Sequence, residues 1–288
     1  MERLQIAIAK ARAAREEAAG KPAGDAPRPG PGGTARRREG LAREAAEADA
    51  TAEAWAAIER FDAAPAQLER SRIVTAAGGR AATEFDKLRT RIVQRMQAEG
   101  WTRLAVTSPG PGCGKSTITM NLGYGLARQD ATRVVMCEMD LRRPSLAALV
   151  GAPTGRDFAA VLEGRSPFGE EALRLRPNLA AGLVERSRRD TAELLQGRST
   201  VEALDRIQAA LQPTAMLIDT PPVLVSDDTI GLVANVDCAL IVAAAGATTI
   251  AEIDACEREV AAQCPVLGVV LNKCRFSDEA SAYEYYYD

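Results

Sequence analysis

From Thr83 to Phe276 the chain alternates two patterns. Short runs that are apolar at almost every position are separated by longer stretches that are apolar at every third or fourth position. Phe85, Leu88, Ile92 and Met96 recur at helical spacing and predict an amphipathic helix ending before Gly100. The uniformly apolar runs predict strands over Leu104–Ser108, Arg133–Asp140, Leu179–Val184, Ala215–Thr220, Cys238–Ala245 and Val266–Asn272. Helices are expected over Ile118–Arg128, Thr200–Gln212, Asp227–Val236 and Ile250–Gln263. Strands that are apolar on both faces and alternate with helices indicate a parallel sheet covered on both sides.

The first eighty residues read differently. Leu4, Ile6, Ile8 and Ala11 give residues 1–19 a weak apolar face in an Ala-rich helical pattern. Residues 20–40, rich in Gly, Pro and Arg, bury too little apolar surface to offset ordering entropy and are expected to be a disordered linker. Residues 41–63 return to an Ala/Glu helix with Trp55, Ile58 and Phe61 as a docking stripe. The expected organisation is an N-terminal extension over 1–80, a nucleotide-binding domain over 81–276 and a tail over 277–288.

Composition narrows the classes of function. With 36 basic and 39 acidic residues in 288, the formal charge is −3, and no basic stripe interleaved with aromatics points to nucleic acid. No apolar run reaches the ~18–20 residues of a spanning helix, and the N-terminus lacks an apolar signal core, so a soluble cytoplasmic protein is expected. The six cysteines form no C-x-x-C pair and read as scattered buried thiols. The absence of histidine excludes Ser-His and Cys-His nucleophilic mechanisms.

Chemistry enters at Leu104–Thr117, LAVTSPGPGCGKST, where a β-rich run meets a Gly/Pro turn and a helical pattern. Strand, glycine loop, Gly-Lys-Ser and helix make a phosphate-binding loop, because loop N–H groups and the helix N-terminus attract phosphate oxygens. Gly110, Gly112, Cys113, Gly114, Lys115, Ser116 and Thr117 are the expected nucleotide contacts, with Lys115 reaching the β/γ-phosphates and the Ser116 hydroxyl binding Mg²⁺. The usual first glycine of this pattern is replaced by Pro109. The fold class expected from loop and alternation together is α/β, a three-layer P-loop NTPase fold with a mainly parallel sheet and helices on both faces.

Two strand ends supply carboxylates. Ala215–Asp219 is an apolar run ending in the aspartate expected near the Mg²⁺ of such a loop. In Val134-Val-Met-Cys-Glu138-Met-Asp140-Leu-Arg142, strand alternation sends Glu138, Asp140 and Arg142 to one side. There one carboxylate assists the metal, another accepts a proton from an attacking hydroxyl, and the arginine stabilises transferred charge. At the far end, four of the chain's five tyrosines, Tyr283, Tyr285, Tyr286 and Tyr287, fall in the last six residues among acids, an arrangement suited to accepting phosphate.

The loop, the Val134–Arg142 segment, Ile218-Asp-Thr-Pro-Pro222 and the tyrosine tail together resemble the bacterial tyrosine kinases of capsule and exopolysaccharide production. Further echoes are Arg142–Leu146, Thr191–Leu195, Val225–Asp227 and Gly268–Asn272. The resemblance implies an ATP- and Mg²⁺-dependent autokinase that phosphorylates its tail tyrosines. Lys115, Glu138, Asp140, Arg142 and Asp219 are then catalytic, and Ser116, Asp140 and Asp219 hold the metal. It also implies a membrane polysaccharide copolymerase-like activator, a tyrosine phosphatase, a homo-oligomeric ring and a place at the inner face of the membrane through a partner. The chain departs from the family at Glu138, where the second motif usually has aspartate. It departs again in the ring helix, where Thr83, Asp86 and Arg89 stand for Glu-x-x-Arg-x-x-Arg. The alternatives are an ATP-binding adaptor that transfers nothing and a positioning ATPase of the MinD/ParA sort, which usually carries an early loop lysine where this chain has Gly110.

Overall fold

The computed structural model describes residues 31–189 and 191–274. The expectations for residues 1–30, and the four tail tyrosines, lie outside the described residues. The chain divides into two units, residues 1–48 and 49–288.

In the second unit, eight strands form one sheet: β1 (Glu59–Arg60), β2 (Arg103–Thr107), β3 (Val134–Glu138), β4 (Ala172–Arg176), β5 (Leu179–Gly182), β6 (Ala215–Asp219), β7 (Cys238–Ala244) and β8 (Val266–Asn272). Their order is β1-β4-β5-β3-β6-β2-β7-β8, and every pairing is parallel except β4 with β5. The fold is the expected α/β one.

Alternation within the strands divides the core cleanly. Ala105, Val135, Cys137, Met216, Ile218, Ala239 and Ile241 pack on one face of the sheet. Leu104, Val106, Val134, Met136, Leu217, Cys238 and Leu240 pack on the other. Because side chains in a strand alternate with period two, burial of both sets requires helices on both faces.

The first helix, α1 (Pro31–Ala56), runs ten residues further toward the N-terminus than the sequence pattern predicts. Residues 31–40, expected as linker, are helical. Pro31 stands at the start, where its missing N–H has no intrahelical partner to lose, and the Ala/Arg/Glu run behind it consists of strong helix formers. The expected docking stripe belongs to the core of the second unit: Trp55 and Ile58 are buried, and the Trp55 indole N–H donates to the Leu211 carbonyl at 2.9 Å. The chain continues through α2 (Pro65–Arg70) to α3 (Thr83–Glu99), which ends at Gly100 in the left-handed conformation.

The helix after the loop, α4 (Lys115–Leu126), is buried along nearly its whole length. Short helices follow: α5 (Leu146–Val150), α6 (Phe158–Leu162), α7 (Phe168–Glu171) and α8 (Ala192–Gln196). The longer α9 (Arg198–Leu211), α10 (Asp228–Val233) and α11 (Ile250–Ala261) complete the layers. The carboxyl ends of β2, β3 and β6, central and adjacent in the sheet, open on one cleft.

Candidate nucleotide site

The segment between β2 and α4 turns sharply enough to need glycine. Gly114 lies at φ +93° as the residue before the helix, and a Cβ there would sit 2.3 Å from the Asn272 side-chain amide. Two residues at the end of β8 hold the crest of the loop. Asn272 Nδ2 donates to the Cys113 carbonyl at 2.9 Å, and Lys273 Nζ donates to the Gly112 carbonyl at 2.6 Å. The Cys113 thiol is buried against the Gly110 carbonyl and the Thr248 hydroxyl, so it serves loop packing.

A cleft of about 480 Å³ lies beside the loop, lined by Gly112, Gly114, Lys115, Ser116, Thr117, Asp140, Arg142 and Arg143 among others. Lys115 Nζ is 2.6 Å from Asp140 Oδ2, and both side chains are largely buried. Burial disfavours the charged ammonium, yet the carboxylates of Asp219 and Asp140 outweigh it and raise the Lys115 pKa above its ordinary value. The second Asp140 oxygen accepts from the Arg143 backbone N–H at 3.1 Å.

Asp219 is wholly buried at the end of β6. Burial raises its pKa to about 6, opposed by the Lys115 charge and a Ser116 hydrogen bond. One oxygen lies 3.5 Å from the Thr119 hydroxyl, while Oδ2 is buried with no hydrogen-bond partner. A buried carboxylate oxygen with an open coordination position, beside the first hydroxyl of the loop helix, fits a Mg²⁺ that takes most of its ligands from phosphate and water. Of the expected metal residues, Ser116 and Asp219 meet this description, and Asp140 is engaged by Lys115.

Glu138 does not join this cleft. Its strand ends at Glu138 itself, so the alternation that was to align Glu138, Asp140 and Arg142 stops where it was needed. The Glu138 carboxylate is wholly buried and turned to backbone: it accepts from Leu146 N at 2.7 Å, from Ser145 N, and from Val184 N at 2.8 Å. It thereby caps α5 and ties it to the end of β5. Burial raises its pKa to about 7 against the effect of those three donors. A carboxylate with both oxygens so engaged and no access to the cleft holds structure, and the expected role as proton acceptor does not fit its surroundings.

Arg142 borders the cleft and is clamped from outside it. Its Nε donates to Asp228 Oδ2 at 2.7 Å and to Thr191 Oγ1 at 3.0 Å, and Nη2 donates to Asp228 Oδ1 at 3.2 Å. Asp228 is buried at the start of α10; burial acts against its charge, but the Arg142 and Thr191 hydrogen bonds hold its pKa below the usual carboxylate range. Sequence reasoning passed over Asp228 and Lys273, although each directly follows a residue it had quoted, Asp227 and Asn272.

Comparison with known proteins places this geometry. Residues 101–287 match the family model ParA, described as NUBPL iron-transfer P-loop NTPase. The chain belongs to this P-loop NTPase family. The NTPase is also 31% identical over 187 residues to a protein of Ralstonia nicotianae named tyrosine-protein kinase EpsB. That match covers 64% of this chain and spans only 24% of the relative's length. Among solved structures, the VpsO kinase domain superimposes with a TM-score of 0.61 at 23% identity, covering 72% of this chain and 98% of that one. The septum site-determining protein MinD of Pyrococcus horikoshii, complexed with Mg-ADP, gives a TM-score of 0.52 at 17% identity over 62% of this chain and 75% of that one. The resemblance read from the motifs thus has counterparts in both sequence and fold.

None of the helices among the described residues is long and apolar enough to cross a membrane.

Proposed function

We propose that the chain is an ATP- and Mg²⁺-dependent protein-tyrosine autokinase acting on its own C-terminal tyrosine cluster in surface-polysaccharide production. One observation carries the reading: a phosphate loop whose Lys115 and Ser116 line one cleft with Asp140 shares a chain with an acidic tail holding Tyr283, Tyr285, Tyr286 and Tyr287. In this reading Lys115 and the loop amides bind the β/γ-phosphates of ATP, and Ser116 and Asp219 hold Mg²⁺, which neutralises charge on the phosphates. The acceptor phenol oxygen forms a bond to the γ-phosphorus as the bond to the β-bridging oxygen breaks. Asp140, the carboxylate bordering the cleft, takes the phenolic proton, and ADP leaves. Arg142, fixed by Asp228, sets a positive charge at the cleft wall. Glu138 has a structural task, so its departure from the usual aspartate does not weigh against transfer. The activator is a membrane polysaccharide copolymerase-like protein, a phosphatase resets the tail, and the kinase works at the inner face of the membrane in a homo-oligomeric ring.

The test is phosphotyrosine mass spectrometry of the chain with Mg²⁺-ATP and an activating partner, compared with Lys115→Met. Phosphate on the tail tyrosines of the native chain alone supports the proposal. Its absence refutes it. A second reading, a positioning ATPase, is favoured by the family match and the MinD-like fold; it requires ATP hydrolysis to free phosphate with an unmodified tail.

A further inference from the structure

The two edges of the sheet are built differently. One is β1, two residues long and charged at both positions, Glu59 and Arg60. The other is β8, seven residues reading Val-Leu-Gly-Val-Val-Leu-Asn, with no charge and no proline. Short or charged edges keep other strands away, whereas a long uncharged one invites pairing. The Asn272 carbonyl accepts from the Ala245 N–H at 2.8 Å, so by alternation Gly268, Val270 and Asn272 turn their backbone groups to β7. Those of Val269 and Leu271 point to the open edge, where no strand among the described residues pairs with them. Their side chains are exposed, Val269 by 44% and Leu271 by 58%, on the face where Ile241 packs with Cys256 and Val260 of α11. On that face α11, which packs against β7 and β8, carries Glu252, Asp254, Glu257 and Glu259 against the single base Arg258, all exposed.

Such an edge fits an extended segment that offers apolar side chains at alternate positions and basic ones toward α11. The first residues of the chain carry that pattern. Leu4, Ile6 and Ile8 alternate with Gln5, Ala7 and Ala9, and the same period continues into Lys10 and Arg12. Around a helix, at ~100° per residue, Ile6 would stand ~200° from both Leu4 and Ile8, whereas a strand sets all three on one face with the two bases in line behind them. We infer that β8 is a docking edge for residues 4–12 of a second copy of the chain, which join the sheet as an added strand. The isoleucines then cover Val269 and Leu271, and Lys10 and Arg12 meet the acids of α11. Pairing β8 with β8 of a second copy fits less well, because it sets two acidic helices on one face of a continuous sheet. The added strand also bears on the nucleotide loop, because β8 leads into Asn272 and Lys273, the residues that hold the crest of that loop. The inference stands apart from the kinase reading and needs only the edge and the segment.

The test reads amide hydrogen exchange at Val269 and Leu271 in the full chain, together with its mass by analytical ultracentrifugation. The native chain is expected to self-associate and to protect both amides. Ile6→Asp/Ile8→Asp should be monomeric and exchange them about tenfold faster or more, the factor set by losing two partly buried isoleucines. A labelled peptide of residues 1–15 added to that variant should bind, read by fluorescence anisotropy, and restore the protection. The same peptide with Ile6 and Ala7 exchanged keeps composition and charge but breaks the period, and should bind about tenfold more weakly or worse. Val269→Lys/Leu271→Lys places charges on the edge and should not take up the native peptide, with its fold checked by circular dichroism. Equal exchange at both amides in the native chain and in Ile6→Asp/Ile8→Asp overturns the inference, as does equal binding of the two peptides. A monomeric native chain with protected amides overturns the assignment to a second copy. Self-association and protection that both survive in Ile6→Asp/Ile8→Asp overturn it too, and give the edge to β8 of the second copy.

Discussion

Replacing Glu138 separates two roles for the carboxylate that ends β3. If it holds structure, Glu138→Ala removes the acceptor from the buried N–H groups of Ser145, Leu146 and Val184. Each buried donor left unsatisfied costs about 1–3 kcal/mol, so three sum to roughly 3–9 kcal/mol. A unit of this size loses about 2–4 °C of Tm per kcal/mol, which predicts a fall on the order of 10 °C or more. The pH dependence has a definite sign. Burial raises the folded-state pKa to about 7, well above the ~4.3 of an unfolded chain. The folded protein therefore keeps a proton that the unfolded one releases. The stability this gives is fully present below pH ~4.3 and is lost as pH rises through about 7. Glu138→Gln cannot titrate, so its denaturation midpoints should lack that decline, while its amide nitrogen meets the Val184 N–H and lowers stability at acid pH. Denaturation of both variants across this pH range, alongside nucleotide binding, is the assay. A Glu138→Ala protein that melts within a degree or two of the native chain refutes the reasoning, as does a Glu138→Gln protein of native stability and pH profile whose phosphotransfer alone is abolished.

Three further substitutions probe the cleft. Asp219→Asn should remove the Mg²⁺ dependence of nucleotide binding while stabilising the metal-free protein at pH 8, because burial makes the ionised form costly; calorimetry with and without Mg²⁺ and thermal melting read the two effects, and native Mg²⁺ dependence contradicts the assignment. Asp228→Asn breaks the charge-assisted clamp on Arg142, at a cost of about 1–3 kcal/mol; turnover should fall further than nucleotide affinity, and Arg142→Lys, which cannot pair bidentately, should reproduce that split. Gly114→Ala places a side chain at φ +93° and 2.3 Å from the Asn272 amide, so nucleotide affinity should drop at least about tenfold with the fold intact by circular dichroism.

The sheet was legible because its central strands are apolar on both faces, a pattern that parallel packing alone requires. The misses share a physical origin. In β4, Leu173 and Leu175 alternate with the half-buried Arg174 and Arg176, the pattern of a strand with one face partly wet, and it lies next to the two-residue edge strand β1 and pairs antiparallel to β5. The helices α5, α6 and α8 have five residues each, too few for a helical period to show. In the site, Lys115, Ser116 and Asp219 were readable because each sits at a fixed offset from a strand end or helix start. Glu138, Asp140 and Arg142 were grouped by strand alternation, which fails once β3 ends at Glu138. Asp228 acquires its role only through a loop meeting a distant arginine, which no local spacing encodes.

The register of β3 against β6 sets Glu138 directly opposite Asp219, so two wholly buried carboxylates lie side by side, with Asp140 beyond them and Lys115 the ammonium among them. Three carboxylates against one ammonium leave an excess of negative charge, and two of the carboxylates, Glu138 and Asp219, are wholly buried beneath the cleft that Lys115 and Asp140 line. The donors divide the labour: Glu138 takes three backbone amides, Asp140 takes Lys115, and Asp219 keeps one oxygen without a partner. With pKa values raised to about 7 and about 6, Glu138 and Asp219 relieve the excess near neutral pH by holding protons. A dication bound with nucleotide at Asp219 would relieve it instead, and the protons would leave. Binding of Mg²⁺-nucleotide near pH 6.5 should therefore release protons, seen as a heat that changes with the ionisation enthalpy of the buffer. The release should shrink as pH rises above about 8, where both groups are already ionised. Heats independent of buffer near pH 6.5 would show that the cluster carries its charge without protons and that Asp219 is not where the cation acts.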